Sequence, residues 1–302
     1  MHGLELSDPE LVNLQEAIMN SLTIKKILSA QDPQGFWITP KTMYLPKYKA
    51  STHSLLILAE LGAQRNPAIE RGIEQIFSSQ QYSGHFRMEQ PKTERARAST
   101  LADGVCLDAN ILYFMIHFGY LEDPRIQQLL DFLSKSHSSS NYGWPCRAFP
   151  INPKSVFPTN CFMCSVKGLR ALTQIPQSKR SQKITTILKK EIEHVLENEL
   201  YRYLKTPQGE RKAKAGWTRF GFPLFYNSDV LEVLDTLTSL GVKDSRMDDA
   251  LEMVLQKRGS DGKWLLDHSF NGKMWVDIET KKAPSKWITL RALRILRRLG
   301  RE

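Results

Sequence analysis

One helical pattern occurs five times along the chain, and it limits the folds open to this sequence more than any other feature. The copies begin 57, 57, 65 and 59 residues apart. They are HSLLILAELG from His53, NILYFMIHFG from Asn110, KGLRALTQIP from Lys167, EVLDTLTSLG from Glu232 and RALRILRRLG from Arg291. In each copy the third, sixth and ninth positions are apolar, a spacing that forms one face of a helix. The terminal Gly, or the Pro of the third copy, is expected to stop that helix.

A second predicted helix separates successive copies. It begins at an N-cap residue, most clearly where Asn66 and Asp123 are each followed by Pro. It ends at a turn that contains a Gly and, two residues later, an aromatic residue, in the segments Gln31–Trp37, Gln80–Phe86 and Arg258–Trp264. The Gly allows a tight turn, and the aromatic ring can pack back on the helix end. Paired helices at this regular spacing predict an all-α fold.

The Gln-x-x-x-Gly-x-Trp element between paired helices resembles the repeat of squalene and hopene cyclases and of protein prenyltransferase β-subunits. The resemblance covers roughly residues 20–300. The segments GWTRFGFPLFYNSDVLEVLDTLTSLG, DGKWLLDHSF and APSKWITLRALRILRRLG are similar to small, single-domain bacterial members of that superfamily. The resemblance implies that residues 1–302 form one α/α toroid of about five to six helical hairpins. Its LxxLxxL helices would lie inside the ring, and the long connections between hairpins would wall the mouth of a central cavity.

Composition narrows the classes of partner. The formal net charge is +10 and the pI is about 9.4, which favours an anionic partner or simply solvated basic loops. No nucleic-acid motif accompanies the charge. No apolar run approaches the roughly 20 residues of a membrane span, and the first 20 residues lack a signal-type apolar stretch. We therefore expect a cytoplasmic protein that binds a small molecule, with peripheral membrane contact left open.

Helical phase predicts which side chains line the cavity. At about 100° per residue, the residue that opens each copy lies opposite the LxxLxxL face. The predicted lumen ring is therefore His53, Asn110, Lys167, Glu232 and Arg291. Because buried charges need partners, the ring predicts either a polar ligand or mutual satisfaction, for example Glu232 bridging Lys167 and Arg291.

Functional roles follow as hypotheses from the same positions. Acid–base work is assigned to His53, Asp103 and Glu232. Ligand binding is assigned to the remaining polar and aromatic residues near the lumen, namely Lys49, Asn110, Lys167, Asp229, Trp287 and Arg291.

Two families within the resemblance use motifs that this chain lacks or alters. Class II terpene cyclases protonate their substrate with Asp-x-Asp-Asp, and no such motif occurs here. Protein prenyltransferases use a zinc site that includes Asp-x-Cys, whereas Asp103-Gly-Val-Cys106 has one residue more. The resemblance therefore implies only a metal–thiolate site and a diphosphate site, without the reaction of either family.

All four cysteines, Cys106, Cys146, Cys161 and Cys164, fall within one stretch of 59 residues. Clustered thiols in a cytosolic chain indicate metal ligands or redox groups rather than disulfides. We predict that these four bind zinc, with His53 an alternative fourth ligand. Two other interpretations stay open, namely four unrelated buried thiols and a single nucleophilic Cys106 activated by His53.

The leading hypothesis is an enzyme-like toroid that holds an anionic ligand, such as an isoprenoid diphosphate, in its central cavity. A second hypothesis is a non-catalytic receptor or scaffold. A third is a polysaccharide-active toroid, favoured by four tryptophans predicted at the rim, Trp144, Trp217, Trp275 and Trp287, although no carboxylate pair is defined.

Overall fold

The computed structural model describes residues 9–99, 102–138, 142–144 and 161–301. The helices in chain order are α1 (Pro9–Asn20), α2 (Leu22–Ser29), α3 (Ser51–Glu60), α4 (Pro67–Phe77), α5 (Glu94–Arg97), α6 (Val105–His117), α7 (Pro124–Ser136), α8 (Phe162–Thr173), α9 (Gln182–Glu197), α10 (Val230–Ser239), α11 (Asp248–Gln256) and α12 (Lys286–Leu299). Short 3-10 turns span Gln177–Lys179 and Ser245–Met247. Strands β1 (Leu204–Lys205) and β2 (Arg211–Lys212) pair antiparallel, as do β3 (Trp264–Leu265) and β4 (Pro284–Ser285).

The helices form an inner and an outer layer, which confirms the predicted α/α toroid. The five predicted LxxLxxL helices are the inner ones, and α3, α6, α8, α10 and α12 pack against one another in that order. Nine of the ten residues of α3 are buried, whereas the outer helices α2, α4, α7, α9 and α11 are buried on one face only. Of the described helices, none is long and apolar enough to cross a membrane.

The predicted helix ends are found where the sequence places them. The Asn66 side chain accepts from the Ile69 N–H and caps α4, and Asp123 caps α7 in the same way. After the inner helices, four of the five segment-ending positions are glycines with φ between 68° and 84°, a conformation that L-residues with a Cβ rarely adopt. The apolar positions of the repeated pattern are buried in the first three copies, whereas Leu240 of the fourth is half-buried and Leu293 of the fifth is 39% exposed.

The Gly-aromatic turn joins each outer helix to the next hairpin. Gly84 has φ +97°, and a Cβ there would lie 2.3 Å from the Gln128 carbonyl oxygen. The Gln80 amide bridges the turn and the next outer helix, since its Nε2 donates to the carbonyls of Gly84 and Arg125. Gln31 makes the equivalent pair of bonds in the first copy. The Gln of the repeat is therefore a structural crosslink, which explains its spacing from the Gly.

The aromatic residue of the turn is held at both its ring and its backbone. The indole Nε1 of Trp37, Trp144 and Trp264 donates to a carbonyl of the preceding outer helix, at 2.6–2.8 Å. The backbone N–H of the aromatic residue donates to a side chain in the first turn of the next inner helix, which is Ser51, Asp108 or Thr289 in three copies. Asp108 is fully buried, and burial raises the pKa of its carboxyl well above the usual value. Its role is that of a structural acceptor.

Candidate functional site

Among the described residues, aromatic side chains pack together at the end where the mouth is predicted. Tyr48 stacks on Phe270 with ring centroids 4.3 Å apart, and Phe225 packs against both rings. These residues come from three connections that precede the inner helices α3, α10 and α12. In the described part of the chain these rings take up much of the space that the connections enclose, and a ligand cavity at this end stays a prediction.

A small enclosed pocket remains beneath these rings, with a volume of about 20 Å³. This mouth pocket is lined in part by Tyr44, Thr52, His53, Cys106, Asn110 and Phe225. It has room for about one water molecule. Burial, with a further effect of Lys47, lowers the pKa of His53 to about 3, so its imidazole is neutral at physiological pH. A neutral ring without room for a substrate does not support the predicted acid–base role of His53.

The larger interior space lies toward the opposite end, among the C-terminal halves of α3, α8 and α10 and along α12. This basal cavity has a volume of about 360 Å³. Its charged lining is Glu60, Arg170, Glu232, Asp235, Arg291, Arg294 and Arg298, and Tyr113, Phe222, Trp287 and Leu290 contribute rings and an apolar edge. Leu290 and Arg294 on α12 are exposed, and the cavity opens to solvent beside them.

Five of the buried charges form one network. Lys167 Nζ lies 2.8 and 2.9 Å from the two carboxylate oxygens of Glu232. Arg170 joins Glu232 to Glu60, at 3.3 and 2.6 Å. Arg291 Nη2 lies 3.5 Å from Glu60 Oε2, which links α12 to α3 across the ring. The suggested bridge by Glu232 is thus present, but it joins Lys167 to Arg170 and not to Arg291.

Charge partners favour the ionised forms of Glu232 and Arg291, whereas burial outweighs the effect of Glu232 and lowers the pKa of Lys167. Burial alone would raise the pKa of Glu232, yet Lys167 and Arg170 outweigh that effect and hold the pKa below its usual value. Burial would likewise lower the pKa of Arg291, and the carboxylate of Glu60 reverses the shift. Of the charged groups that line the cavity in the described part of the chain, four are arginines and three are carboxylates. Lys167, which pairs with Glu232 and does not itself line the cavity, is a fifth cation. With Lys167 counted, cationic side chains exceed anionic ones by two.

Two buried donors on α12 have no hydrogen-bond partner among the described residues. They are Nη1 of Arg291 and the indole Nε1 of Trp287. The two side chains are one helical turn apart, so they lie on the same face of α12, and both line the basal cavity. Trp287 stacks on Phe222 with centroids 4.9 Å apart, which fixes the plane of the indole. An unpaired buried donor costs about 1–3 kcal/mol, and more when it carries charge.

The predicted lumen ring is divided by the structure. All five residues are buried, but His53 and Asn110 line the mouth pocket, whereas Glu232 and Arg291 line the basal cavity. Asn110 Nδ2 donates to the Phe225 carbonyl at 3.2 Å. In the described part of the chain the five side chains are therefore interior, but they do not all line one cavity.

Other predicted site residues lie at the mouth or in the scaffold. Lys49 sits over the Trp275 ring at 5.2 Å, and Asp103 pairs with Arg87 at 2.9 Å. Asp229 caps α10 and accepts from the N–H groups of Gly221 and Glu232. Among the predicted ligand-binding residues, only Trp287, Lys167 and Arg291 meet at the basal cavity and its charge network.

The described cysteines occupy different surroundings. Cys106 lines the mouth pocket, Cys161 precedes α8, and Cys164 is buried within α8. Cys146 lies outside the described residues. Within the described ranges, no group of three or more His, Cys, Asp or Glu side chains is arranged to hold a metal ion. The zinc site thus stays a prediction that these residues do not support, and zinc content per chain after metal-free purification and reconstitution tests it.

The tryptophans expected at the rim have mostly structural positions. Trp144 and Trp217 are fully buried, and the Trp275 indole donates to the Lys49 carbonyl at 2.9 Å. A row of exposed sugar-binding rings is therefore absent from these four positions. The physical reason is that Trp144 and Trp217 belong to looser copies of the Gly-aromatic turn, Gly143-Trp144 and Gly216-Trp217, whose rings pack inward.

Two residues of the basal cavity, Glu60 and Tyr113, escaped the sequence-based prediction of sites, whereas helical phase placed Arg170 in the lumen at the end opposite the mouth. Glu60 is the only ionisable carboxylate in the otherwise apolar segment from His53 to Gly62, which was an available signal. Arg170 stacks on Tyr113 with its guanidinium carbon 3.9 Å from the ring centroid. That contact depends on the juxtaposition of α6 and α8 and leaves no mark in the sequence.

Comparison with known proteins supports the fold. No family model and no curated protein match the sequence. A sugar epimerase from a ruminal bacterium is 12% identical with a TM-score of 0.54, covering 96% of this chain and 82% of its own. A protein from Actinoplanes is 13% identical with a TM-score of 0.50, covering 91% and 72%. A type II terpene cyclase from Scytonema is 13% identical, covering 94% and 73%, but its TM-score of 0.49 is too low to build on. At such identities these similarities show the toroid fold alone.

Proposed function

We propose that the protein binds a compact organic anion in the basal cavity, with Arg291 and Trp287 as its anchors. The observation that carries the proposal is the pair of unpartnered buried donors, Arg291 Nη1 and Trp287 Nε1, on side chains that line the cavity. A carboxylate or phosphate oxygen within reach of both would satisfy them at once. Charge-assisted bonds of this kind are roughly twice as strong as neutral ones.

The charge balance supports the same conclusion. The cavity lining and Lys167 together have two more cationic than anionic side chains. The cations are Lys167, Arg170, Arg291, Arg294 and Arg298, and the anions are Glu60, Glu232 and Asp235. Arg294 and Arg298 share a single carboxylate, Asp235, at 3.0 and 2.7 Å. An anion in the cavity would neutralise this excess, part of which lies on the solvent-accessible Arg294 and Arg298.

The proposal applies to an enzyme and to a receptor alike, because it concerns the ligand and not its turnover. An isoprenoid diphosphate belongs to the proposed class, since its headgroup offers the required oxygens. The fold by itself does not select a ligand, so the selection rests on the cavity wall.

Isothermal titration calorimetry with inorganic phosphate and diphosphate tests the proposal. We expect binding that weakens about tenfold or more in Arg291→Lys and in Trp287→Phe, because each variant removes one donor and keeps most of the volume. Arg297→Gln, an exposed substitution on the same helix, is the matched control and should bind as the wild type does. Equal affinity in the wild type and in both cavity variants would refute the proposal.

A further inference from the structure

The basal cavity also presents hydrogen-bond acceptors that a simple anion leaves unsatisfied. Among the described residues, Glu60 Oε2 is buried and accepts no hydrogen bond, and it pairs with Arg291 Nη2 at 3.5 Å. A deprotonated carboxylate or phosphate oxygen can only accept, so such an oxygen and this carboxylate would repel each other. The atom that satisfies Glu60 Oε2 must be a donor.

Three hydroxyl side chains that line the cavity can act only as acceptors toward a ligand. The hydroxyl groups of Thr173, Thr236 and Ser239 each donate to a carbonyl oxygen of their own helix, at oxygen–oxygen distances of 2.7, 2.8 and 2.7 Å. Their oxygen lone pairs are then what each can offer to the cavity. Together with Glu60, they make four acceptors beside the two donors on α12.

This mixture selects the ligand. From these donors and acceptors we infer that the ligand is a polyhydroxylated anion the size of a monosaccharide, that is, a sugar acid or a sugar phosphate. The inference rests on the proposed function and extends it from an anion to a class of anions. Ligand hydroxyls donate to Glu60 and to the threonine and serine oxygens, while the carboxylate or phosphate accepts from Arg291 and Trp287.

Size and polarity favour this class over an isoprenoid diphosphate. A volume of about 360 Å³ corresponds to on the order of twelve water molecules, which matches one sugar ring with its charged group. An isoprenoid chain would instead place apolar carbons against Glu60, Arg170 and Asp235, and remove charged groups from water without giving them partners.

The test compares each hydroxylated anion with its unhydroxylated counterpart by calorimetry on the full chain. The pairs are glucuronate or galacturonate against acetate, and glucose 6-phosphate against inorganic phosphate; glucose and farnesyl diphosphate complete the panel. We expect at least one hydroxylated anion to bind about tenfold or more tightly than its counterpart and than glucose. The two pairs distinguish a carboxylate from a phosphate as the anionic group.

Variants separate the hydroxyl contacts from the anion contacts. Arg291→Lys should weaken both members of a pair and leave their ratio unchanged. Thr236→Val and Glu60→Gln should weaken the hydroxylated member alone, so the ratio falls several-fold. Thr236→Val keeps the side-chain shape and leaves the ion pairs intact, so it tests the inference even if Glu60→Gln does not fold.

The failures are distinguishable. Acetate or phosphate binding within about threefold of the hydroxylated anion, or farnesyl diphosphate binding more tightly than either, overturns the inference and leaves the anion site standing. If every probe binds but Arg291→Lys changes none of the affinities, both the inference and the proposed function are overturned. The same holds if no probe binds.

Discussion

Acidification from pH 7 to pH 5 should destabilise the fold through His53 by an amount that its surroundings allow us to work out. The ring is 2% exposed and lies 4.6 Å from Tyr44 and 5.2 Å from Phe225, centroid to centroid. Burial lowers its pKa from 6.5 to about 3. Between these values the unfolded chain binds a proton that the folded chain does not. The contribution of the neutral His53 to the free energy of unfolding is therefore fully present above pH 6.5 and is lost as the pH falls below it.

The magnitude follows from the two pKa values. At pH 5 the unfolded imidazole is protonated about thirty to one while the folded ring stays neutral, which costs about 2 kcal/mol; at pH 7 the cost is about 0.2 kcal/mol. Other groups also respond to pH. The buried carboxyl of Asp229, whose pKa is raised to about 6, changes stability in the opposite direction over part of this range. The difference between the wild type and a His53 variant isolates the histidine.

Urea unfolding of the wild type and His53→Phe at pH 7, 6 and 5 measures that difference. The variant should lose about 2 kcal/mol less than the wild type between pH 7 and pH 5. Tyr44→Phe is the control, because it alters the same cluster and removes no group that titrates in this range. Identical losses in the wild type and in His53→Phe, or an imidazole that titrates near pH 6.5 by NMR, would refute the reasoning.

Two further predictions concern the scaffold, and urea denaturation checks both. Lys167→Met should destabilise the protein by about 3 kcal/mol, because the buried Glu232 then keeps only the longer contact with Arg170 at 3.3 Å. Adding Glu232→Met should restore much of that loss. A Lys167→Met variant as stable as the wild type would contradict this. Gly84→Ala should cost at least about 3 kcal/mol, since its Cβ would lie 2.3 Å from a carbonyl oxygen, whereas Gly272→Ala, with positive φ but open space around it, should cost only about 1 kcal/mol. Equal losses in the two glycine variants would show that the close approach is not what requires Gly84.

The toroid could be predicted from the sequence because local rules specify it. The three-residue apolar spacing from Leu55 to Leu61, the caps at Asn66 and Asp123, and the Gly-aromatic turns each act within a few residues, and they recur at a regular interval. Consistent local signals of this kind leave little freedom in the layer arrangement.

The site could be predicted only in part. Helical phase placed Lys167, Glu232 and Arg291 in the interior, where the structure has them. Phase does not say which end of a ring is open, since that depends on how Phe225 and Phe270, from connections distant in sequence, pack together. Side-chain length also matters, because long charged side chains reach the network while the short amide of Asn110 stays with the mouth pocket.

The most direct test of the proposed anion site is the indole N–H spectrum of the tryptophans during a titration with inorganic phosphate. The indoles of Trp37, Trp144, Trp264 and Trp275 already donate to carbonyl oxygens, whereas the Trp287 indole has no acceptor. Trp287→Phe assigns its resonance. We predict that the Trp287 signal shifts downfield with saturation while those four signals stay in place, and that Arg291→Lys weakens the effect. A Trp287 signal that does not move at saturating phosphate would contradict the account.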